Sequence, residues 1–137
     1  MLAKIDIIFN SLHIVVPLDA HVTEISGDSG EGKTLLFNAL HYLKQIRALT
    51  FKCILINYAN RVDLLTLLDP NALYVIDNAD CIFQDMPELI DVVNNSKAQF
   101  LLLGRDFTGI HCNLNAYGYF TLKGSELMFQ SQYPNNY

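Results

Sequence analysis

The eight residues from Gly27 to Thr34 constrain this chain more than any other segment. They fill the pattern Gly-x-x-x-x-Gly-Lys-[Ser/Thr] at every fixed position. An extended apolar run, His21–Ser26, precedes them, and an amphipathic helical pattern follows from Thr34. Glycines let a loop come close to a ligand, and consecutive N–H groups at the start of a helix form a cradle for an anion. The segment therefore predicts a phosphate-binding loop between a strand and a helix.

Two positions of this loop have specific expected roles. We expect Lys33 to reach the β- and γ-phosphates of a nucleoside triphosphate and to act in catalysis, and the Thr34 hydroxyl to bind Mg²⁺. An unrelated glycine-rich turn before a helix is the alternative, and it fits less well because both flanks match the pattern. The expected nucleotide-binding residues are Gly27, Asp28, Ser29, Gly30, Glu31, Gly32, Lys33 and Thr34.

Composition limits the partners of the chain. Its 137 residues predict a single domain, 1–137, and 51% hydrophobic residues are enough for a core covered on both faces. The net charge is −5, and the nine Lys and Arg residues form no cluster. Because nucleic-acid binding depends on such basic clusters, direct binding of DNA or RNA is not expected.

Cysteine spacing and hydropathy indicate a compartment. The three cysteines are widely separated and show no Cys-x-x-Cys spacing, which argues against a disulfide framework or a zinc site. No signal-peptide segment is evident at the N-terminus. No apolar run approaches the roughly 18 residues that a membrane span needs. These features predict a soluble, cytoplasmic protein.

Alternation of apolar runs with helical patterns predicts the fold. Strands that alternate with helices imply a mainly parallel sheet with helices on both faces. The predicted strands are Ile5–Phe9 and His13–Pro17 as a hairpin, Phe51–Tyr58, Ala72–Asp77, Gln99–Leu103, and Tyr117–Lys123 with Glu126–Gln132 as a closing hairpin. The predicted helices run from Thr34 to about Ala48, over Arg61–Leu68, and onward from an N-cap at Asp85. Ligands of such sheets bind at the carboxyl ends of the strands.

A carboxylate at the end of a buried strand completes the predicted site. Leu73–Asp77 is an apolar run that ends in Asp77, which is expected to hold Mg²⁺, often through water. The alternative role of Asp77 is a helix or turn cap. Arg105 follows the next buried strand, and its planar charge suits a γ-phosphate, whereas a solvated loop arginine is the alternative. Both residues are expected to converge with the phosphate loop at one edge of the sheet.

These motifs resemble those of the P-loop NTPases, with Walker A at Gly27–Thr34 and Walker B at Leu73–Asp77. The resemblance covers roughly residues 20–106 and points to the ASCE division, which has an added strand between the two motif strands. It implies a three-layer α/β sandwich with a mainly parallel five-stranded sheet, plus antiparallel hairpins at the N- and C-termini. It also implies ATP and Mg²⁺ as cofactors.

The subfamily stays open. The Ser29-Gly30 pair resembles the loop of ABC-type ATPases, yet no LSGGQ-like signature occurs and the chain has no room for their helical subdomain. Arg105 instead resembles the sensor arginine of STAND and AAA+ proteins. Asn78 stands where hydrolytic relatives usually carry the acidic residue that orients water, and an amide cannot accept a proton. Asp80 is the nearest replacement and is predicted as a catalytic carboxylate, with a loop cap as its alternative role.

The predicted function is therefore ATP binding with Mg²⁺-dependent hydrolysis of low intrinsic turnover, coupled to a partner or an assembly. A non-hydrolysing regulatory or interaction module is the alternative. A small kinase ranks third because the chain has only three arginines and no clustered lid. ATP is preferred to GTP because no Asn-Lys-x-Asp motif occurs. A second copy or a protein partner is expected to complete so small a site.

Overall fold

Short apolar runs form the strands at the centre of this protein, as expected for strands buried on both faces of a sheet. In the computed structural model, residues 1–18, 21–27, 31–113 and 116–132 are described. The strands are β1 Lys4–Phe9, β2 Leu12–Pro17, β3 Val22–Ile25, β4 Cys53–Ile56, β5 Leu73–Ile76, β6 Gln99–Leu103, β7 Ala116–Lys123 and β8 Glu126–Ser131. The helices of the described part are α1 Glu31–Gln45, α2 Ala79–Asp85 and α3 Glu88–Asn95, with a 3-10 helix at Arg61–Leu65.

The predicted fold class was wrong. All eight strands belong to one mixed sheet, curled into a half-barrel, in the order β1-β2-β8-β7-β3-β6-β5-β4. We expected a mainly parallel five-stranded sheet with hairpins added at the termini. The hairpins β1–β2 and β7–β8 do form as antiparallel pairs, but β2 also pairs in parallel with β8. Because that pairing satisfies one open edge of each hairpin, the hairpins continue the sheet instead of lying beside it.

Parallel pairing aligns the strand ends that matter for the site. β3 pairs in parallel with β6 and with β7, and β5 pairs in parallel with β4 and with β6. The carboxyl ends of these strands therefore lie along one edge of the sheet. The turn between β1 and β2 and the turn between β7 and β8 lie at this same edge, since β1 and β7 run in the direction of β3.

Helices cover the two faces of the sheet unequally. α1 packs with β1 and β2 on one face, whereas α2, α3 and the 3-10 helix pack on the other. Side chains of β6 alternate between the two faces of the sheet. Leu101 and Leu103 pack on the face covered by α1, whereas Phe100 and Leu102 pack on the opposite face. All four of these side chains are fully buried, so β6 lies at the centre of the core.

Two predicted helix starts differ from the structure. α1 begins at Glu31 and not at Thr34, so its first turn includes the last residues of the glycine-rich motif. Asp85 was predicted to cap a helix, but it is the last residue of α2, and Pro87 precedes α3 without a side-chain cap. The Asp85 carboxylate instead accepts a hydrogen bond from the Tyr58 hydroxyl at 2.9 Å. Asp85 therefore contacts a residue distant in the chain, Tyr58, and does not cap a helix.

Candidate functional site

A cavity of about 170 Å³ opens at the carboxyl edge of the sheet. It contains five of the residues that the sequence predicts for the site, which come from four separate parts of the chain. They are Gly27, Lys33, Thr34, Asp77 and Arg105, and the remaining lining residues are Asn78, Leu103 and Gly104.

Strand register explains this convergence. Ile25 pairs with Leu103, and Ile76 pairs with Leu102, so the residues that follow β3, β5 and β6 emerge side by side. Backbone hydrogen bonds extend the alignment beyond the strands, since Gly104 N–H donates to the Ile25 carbonyl at 3.1 Å. The sheet itself therefore positions the three segments, after β3, β5 and β6, that contribute residues to the cavity.

Lys33 lies in the first turn of α1 and is only 8% exposed. Its Nζ donates a hydrogen bond to the Gly27 carbonyl at 2.8 Å, which holds the ammonium beside the residue that follows Ser26 after β3. Gly27 has a φ of 127°, a backbone conformation that glycine adopts readily and other residues rarely do. A buried ammonium needs polar partners, and the Gly27 carbonyl provides one. The lysine is thus placed at the cavity by the loop that precedes it.

Not all of the predicted loop can be placed. Asp28, Ser29 and Gly30 lie outside the described residues, and so does the side chain of Glu31. Gly32 is buried and is not part of the cavity lining. A Cβ added at Gly32 would lie 3.0 Å from the Phe120 ring, so this glycine lets the first turn of α1 pack closely against β7.

Asp77 and Thr34 supply the oxygen atoms of the site. Asp77 is partly buried, and this burial, aided by the charge of Asp80, raises the pKa of its carboxyl, while Lys33 opposes the shift. Among the described residues, no group of three or more His, Cys, Asp or Glu side chains could hold a metal ion. Mg²⁺ commonly binds through one or two protein oxygens plus phosphates and water, so a carboxylate and a hydroxyl in one cavity fit that ion.

Asp80 lies beside the site and not in it. Its Oδ2 accepts hydrogen bonds from the backbone N–H groups of Arg105 at 2.9 Å and Asp106 at 3.0 Å. Its Oδ1 accepts a third from Cys81 N–H at 3.0 Å. The carboxylate is 7% exposed and does not line the cavity. The structure therefore places Asp80 as a support for the Arg105 loop and does not bring it to the cavity as the predicted catalytic carboxylate.

Arg105 is held by its backbone and exposes its side chain. Its N–H donates to Asp80, and its carbonyl accepts a hydrogen bond from Gly27 N–H at 3.2 Å. The exposed guanidinium lines the cavity and makes no ion pair with the described residues. A fixed backbone with a free cation at the edge of the sheet is suited to an anionic ligand.

The structural roles of Asn78 and Gly104 were not predicted from the sequence, and they are set by backbone conformation at Asn78 and by close packing at Gly104. Asn78 has φ 50° and ψ 43°, a left-handed conformation that asparagine tolerates better than most residues. A Cβ at Gly104 would lie 2.6 Å from the Phe107 ring and 2.9 Å from Asp80 Cγ. Gly104 directly follows β6 and Asn78 lies two residues after the end of β5, and this placement was the available signal, since sharp turns after strands favour Asn and Gly.

No protein-family model matches the chain, and no curated protein matches its sequence. The resemblance to the P-loop NTPases therefore stays a prediction based on the motif residues. Within the ranges that the structure describes, none of the helices is long and apolar enough to cross a lipid bilayer.

Proposed function

We propose that this protein binds ATP with Mg²⁺ in the cavity at the carboxyl edge of the sheet and couples the bound nucleotide to a partner. One observation carries the proposal: the adjacent residues Lys33 and Thr34 line a single cavity with Asp77 and Arg105, although these three segments are far apart in the chain. An ammonium, a guanidinium, a hydroxyl and a carboxylate are the groups that a metal-bound triphosphate requires.

Each residue then has a defined task. The N–H groups at the start of α1 face the phosphates, and the Lys33 ammonium neutralises the charge between them. Thr34 and Asp77 hold Mg²⁺, which supplies further positive charge at the phosphate oxygens. Arg105 binds the terminal phosphate through its guanidinium. ATP is favoured over GTP only because the sequence lacks a guanine-specific motif.

Hydrolysis by the isolated chain is slow in this proposal. Asp77 is the only carboxylate among the described residues that line the cavity, and it is assigned to the metal. Asn78 can orient a water molecule but cannot accept its proton. Asp80 has its oxygens occupied by three backbone N–H groups. The lack of a free carboxylate among the described residues that line the cavity also favours a second candidate. This candidate is a nucleotide-binding module that does not hydrolyse ATP and signals its bound state to a second copy or another protein.

Equilibrium titration with a fluorescent ATP analogue in the presence of Mg²⁺ tests the proposal. Lys33→Ala is expected to weaken binding by about 10- to 100-fold, because hydrogen bonds to charged groups contribute about 1.5–3 kcal/mol. Lys97→Ala, at an exposed position between α3 and β6, is the matched control and is expected to bind normally. An unchanged affinity of a folded Lys33→Ala variant would overturn the site assignment. Circular dichroism establishes the folded state.

A further inference from the structure

A second cavity, of about 320 Å³, adjoins the first and shares Arg105 with it. Its walls come from the end of β3, the loop after β6 and the start of β7. The lining residues that matter here are Glu24, Ser26, Arg105, Phe107, Thr108 and Tyr117. The nucleotide proposal assigns no role to this cavity.

A buried carboxyl lies in its wall. Glu24 is 8% exposed and belongs to β3, where it is paired in register with Tyr117 of β7. Its carboxyl forms no hydrogen bond or ion pair with the described residues. Burying a carboxyl without a partner is unfavourable, so a donor brought into the cavity would be stabilised.

The charged surroundings of Glu24 point to the same class of ligand. Burial, and next the charge of Asp80 on α2, raise the pKa of the Glu24 carboxyl to about 7. The other ionisable groups that face it are Arg105 and Asp106 in the loop, Tyr117 on β7, and Cys112. Burial and the charge of Glu24 raise the pKa of the Cys112 thiol to about 11, so this thiol stays neutral. Three carboxyl groups, those of Glu24, Asp80 and Asp106, outnumber the single guanidinium of Arg105, so the surroundings favour a positively charged ligand.

We propose that this cavity binds a small molecule with an amidine, guanidine or aminated heteroaromatic group, whose paired N–H groups donate to the Glu24 carboxyl. Two parallel N–H groups match the two oxygens of a carboxyl, and such paired contacts are among the stronger hydrogen bonds in proteins. The Phe107 and Tyr117 rings provide aromatic surface for a planar, electron-poor group. The hydroxyls of Ser26 and Thr108 are the additional polar groups that fix orientation in such pockets.

Titration of the full chain with benzamidine and with 2-aminopyridine, followed by the NMR signals of backbone amides, tests this site. Shifts are expected at residues 24–26, 105–108 and 117. The probe 2-methylpyridine has the same shape as 2-aminopyridine but lacks the amino group, and it is expected to bind at least tenfold more weakly. Equal binding of the two pyridines would overturn the proposal, and so would shifts confined to other parts of the chain.

Substitutions of residues that line the second cavity test whether the ligand contacts the Glu24 carboxyl. Glu24→Gln is expected to weaken benzamidine binding at least tenfold, whereas Glu88→Gln, at an exposed carboxyl of α3, changes nothing. Lys33→Ala retains benzamidine binding, so a failure of nucleotide binding leaves this result intact. Unchanged binding by a folded Glu24→Gln variant refutes the site. If that variant does not fold, Phe107→Leu decides the matter, because loss of the ring weakens binding several-fold and unchanged affinity refutes the role of the cavity.

The affinity for benzamidine is expected to depend on pH with a definite sign. Benzamidine stays positively charged, and it pairs with the ionised carboxylate of Glu24. With a pKa of about 7, the ionised fraction rises about tenfold between pH 6 and pH 8. The affinity of the wild-type chain should therefore increase about tenfold over this range, and that of Glu24→Gln should not. A flat profile for the wild-type chain contradicts pairing through Glu24.

Discussion

At the scale of single residues, Asn78 shows how backbone conformation and chemistry select the same side chain. It follows β5 in a left-handed conformation with φ 50°, and it lines the cavity at the carboxyl edge of the sheet. A glutamate at this φ would be strained by about 1–2 kcal/mol, whereas asparagine and aspartate tolerate it better. The residue that replaces the expected general base is therefore also one that this turn accommodates.

Replacing Asn78 by aspartate tests whether the missing carboxylate limits hydrolysis. Asn78→Asp keeps the turn and adds a proton acceptor to the cavity, so phosphate release by the isolated chain should rise while ATP affinity changes little. A well-placed base contributes about 10²–10⁴-fold, and a shorter grafted carboxylate should contribute about tenfold. Asn78→Gly, which also permits the turn but adds no carboxylate, should show no rise. Equal rates in all three proteins would contradict the explanation.

At the scale of elements, the loop after β6 depends on α2. Gly104 leaves no room for a side chain, because Phe107 and Asp80 pack directly over it. Asp80, in the first turn of α2, then binds the N–H groups of Arg105 and Asp106. A local sequence reading treats Asp80 as a free carboxylate, whereas the packing of α2 against this loop turns it into a structural acceptor.

Two substitutions of Asp80 test whether this residue supports the Arg105 loop or acts in catalysis. Asp80→Ala leaves the Arg105 and Asp106 N–H groups without their acceptor, and each unpaired buried group costs about 1–3 kcal/mol. We expect a loss of about 2–4 kcal/mol in the free energy of unfolding, measured with urea, and weaker ATP binding. Asp80→Asn keeps one oxygen for both N–H groups and should recover most of the stability and the residual turnover. A stable Asp80→Asn variant without turnover would instead support the catalytic role.

At the scale of the whole molecule, the mixed sheet connects the terminal hairpins to the site. β7 pairs with β3, whose end enters the glycine-rich loop, and β8 pairs with β2. Gly118 lies on β7 directly against β8, since a Cβ there would be 2.1 Å from the Gln130 carbonyl oxygen. The Gly118 carbonyl also accepts a hydrogen bond from the Ser26 N–H at 2.9 Å, so this strand supports the start of the glycine-rich segment.

Gly118→Ala is expected to destabilise the whole sheet. The added methyl group forces β7 and β8 apart, and overpacking of this kind typically costs about 1–3 kcal/mol. Urea unfolding should show a lower midpoint, with ATP affinity reduced as well because Ser26 is displaced. Ser125→Ala, in the exposed turn of the same hairpin, is the control and should unfold like the wild-type chain. An unaltered midpoint for Gly118→Ala would contradict the close approach of the two strands.

Local patterns predicted individual strands, both hairpins and part of the site, but not the arrangement of the sheet. Apolar runs predicted β5 and β6 closely, and the two hairpins are confirmed, because period and turn residues act over short distances. The motif identified Lys33, and the rule that ligands bind at carboxyl strand ends predicted that it would converge with Asp77 and Arg105, which do line one cavity with it. The pairing of β2 with β8 escaped prediction because hydrogen bonds between distant strands leave no periodic trace in either one.

The tertiary structure alone decided what surrounds each polar side chain. Asp80 and Glu24 are both carboxyls in or next to apolar segments, and nothing in their neighbours along the chain tells them apart. Asp80 meets backbone donors from the loop after β6, whereas Glu24 faces a cavity without a partner. The strands and the glycine-rich motif could be predicted from the sequence because periodicity and residue type are local properties of the chain. The protonation and role of a buried carboxyl depend on groups that only folding brings near it.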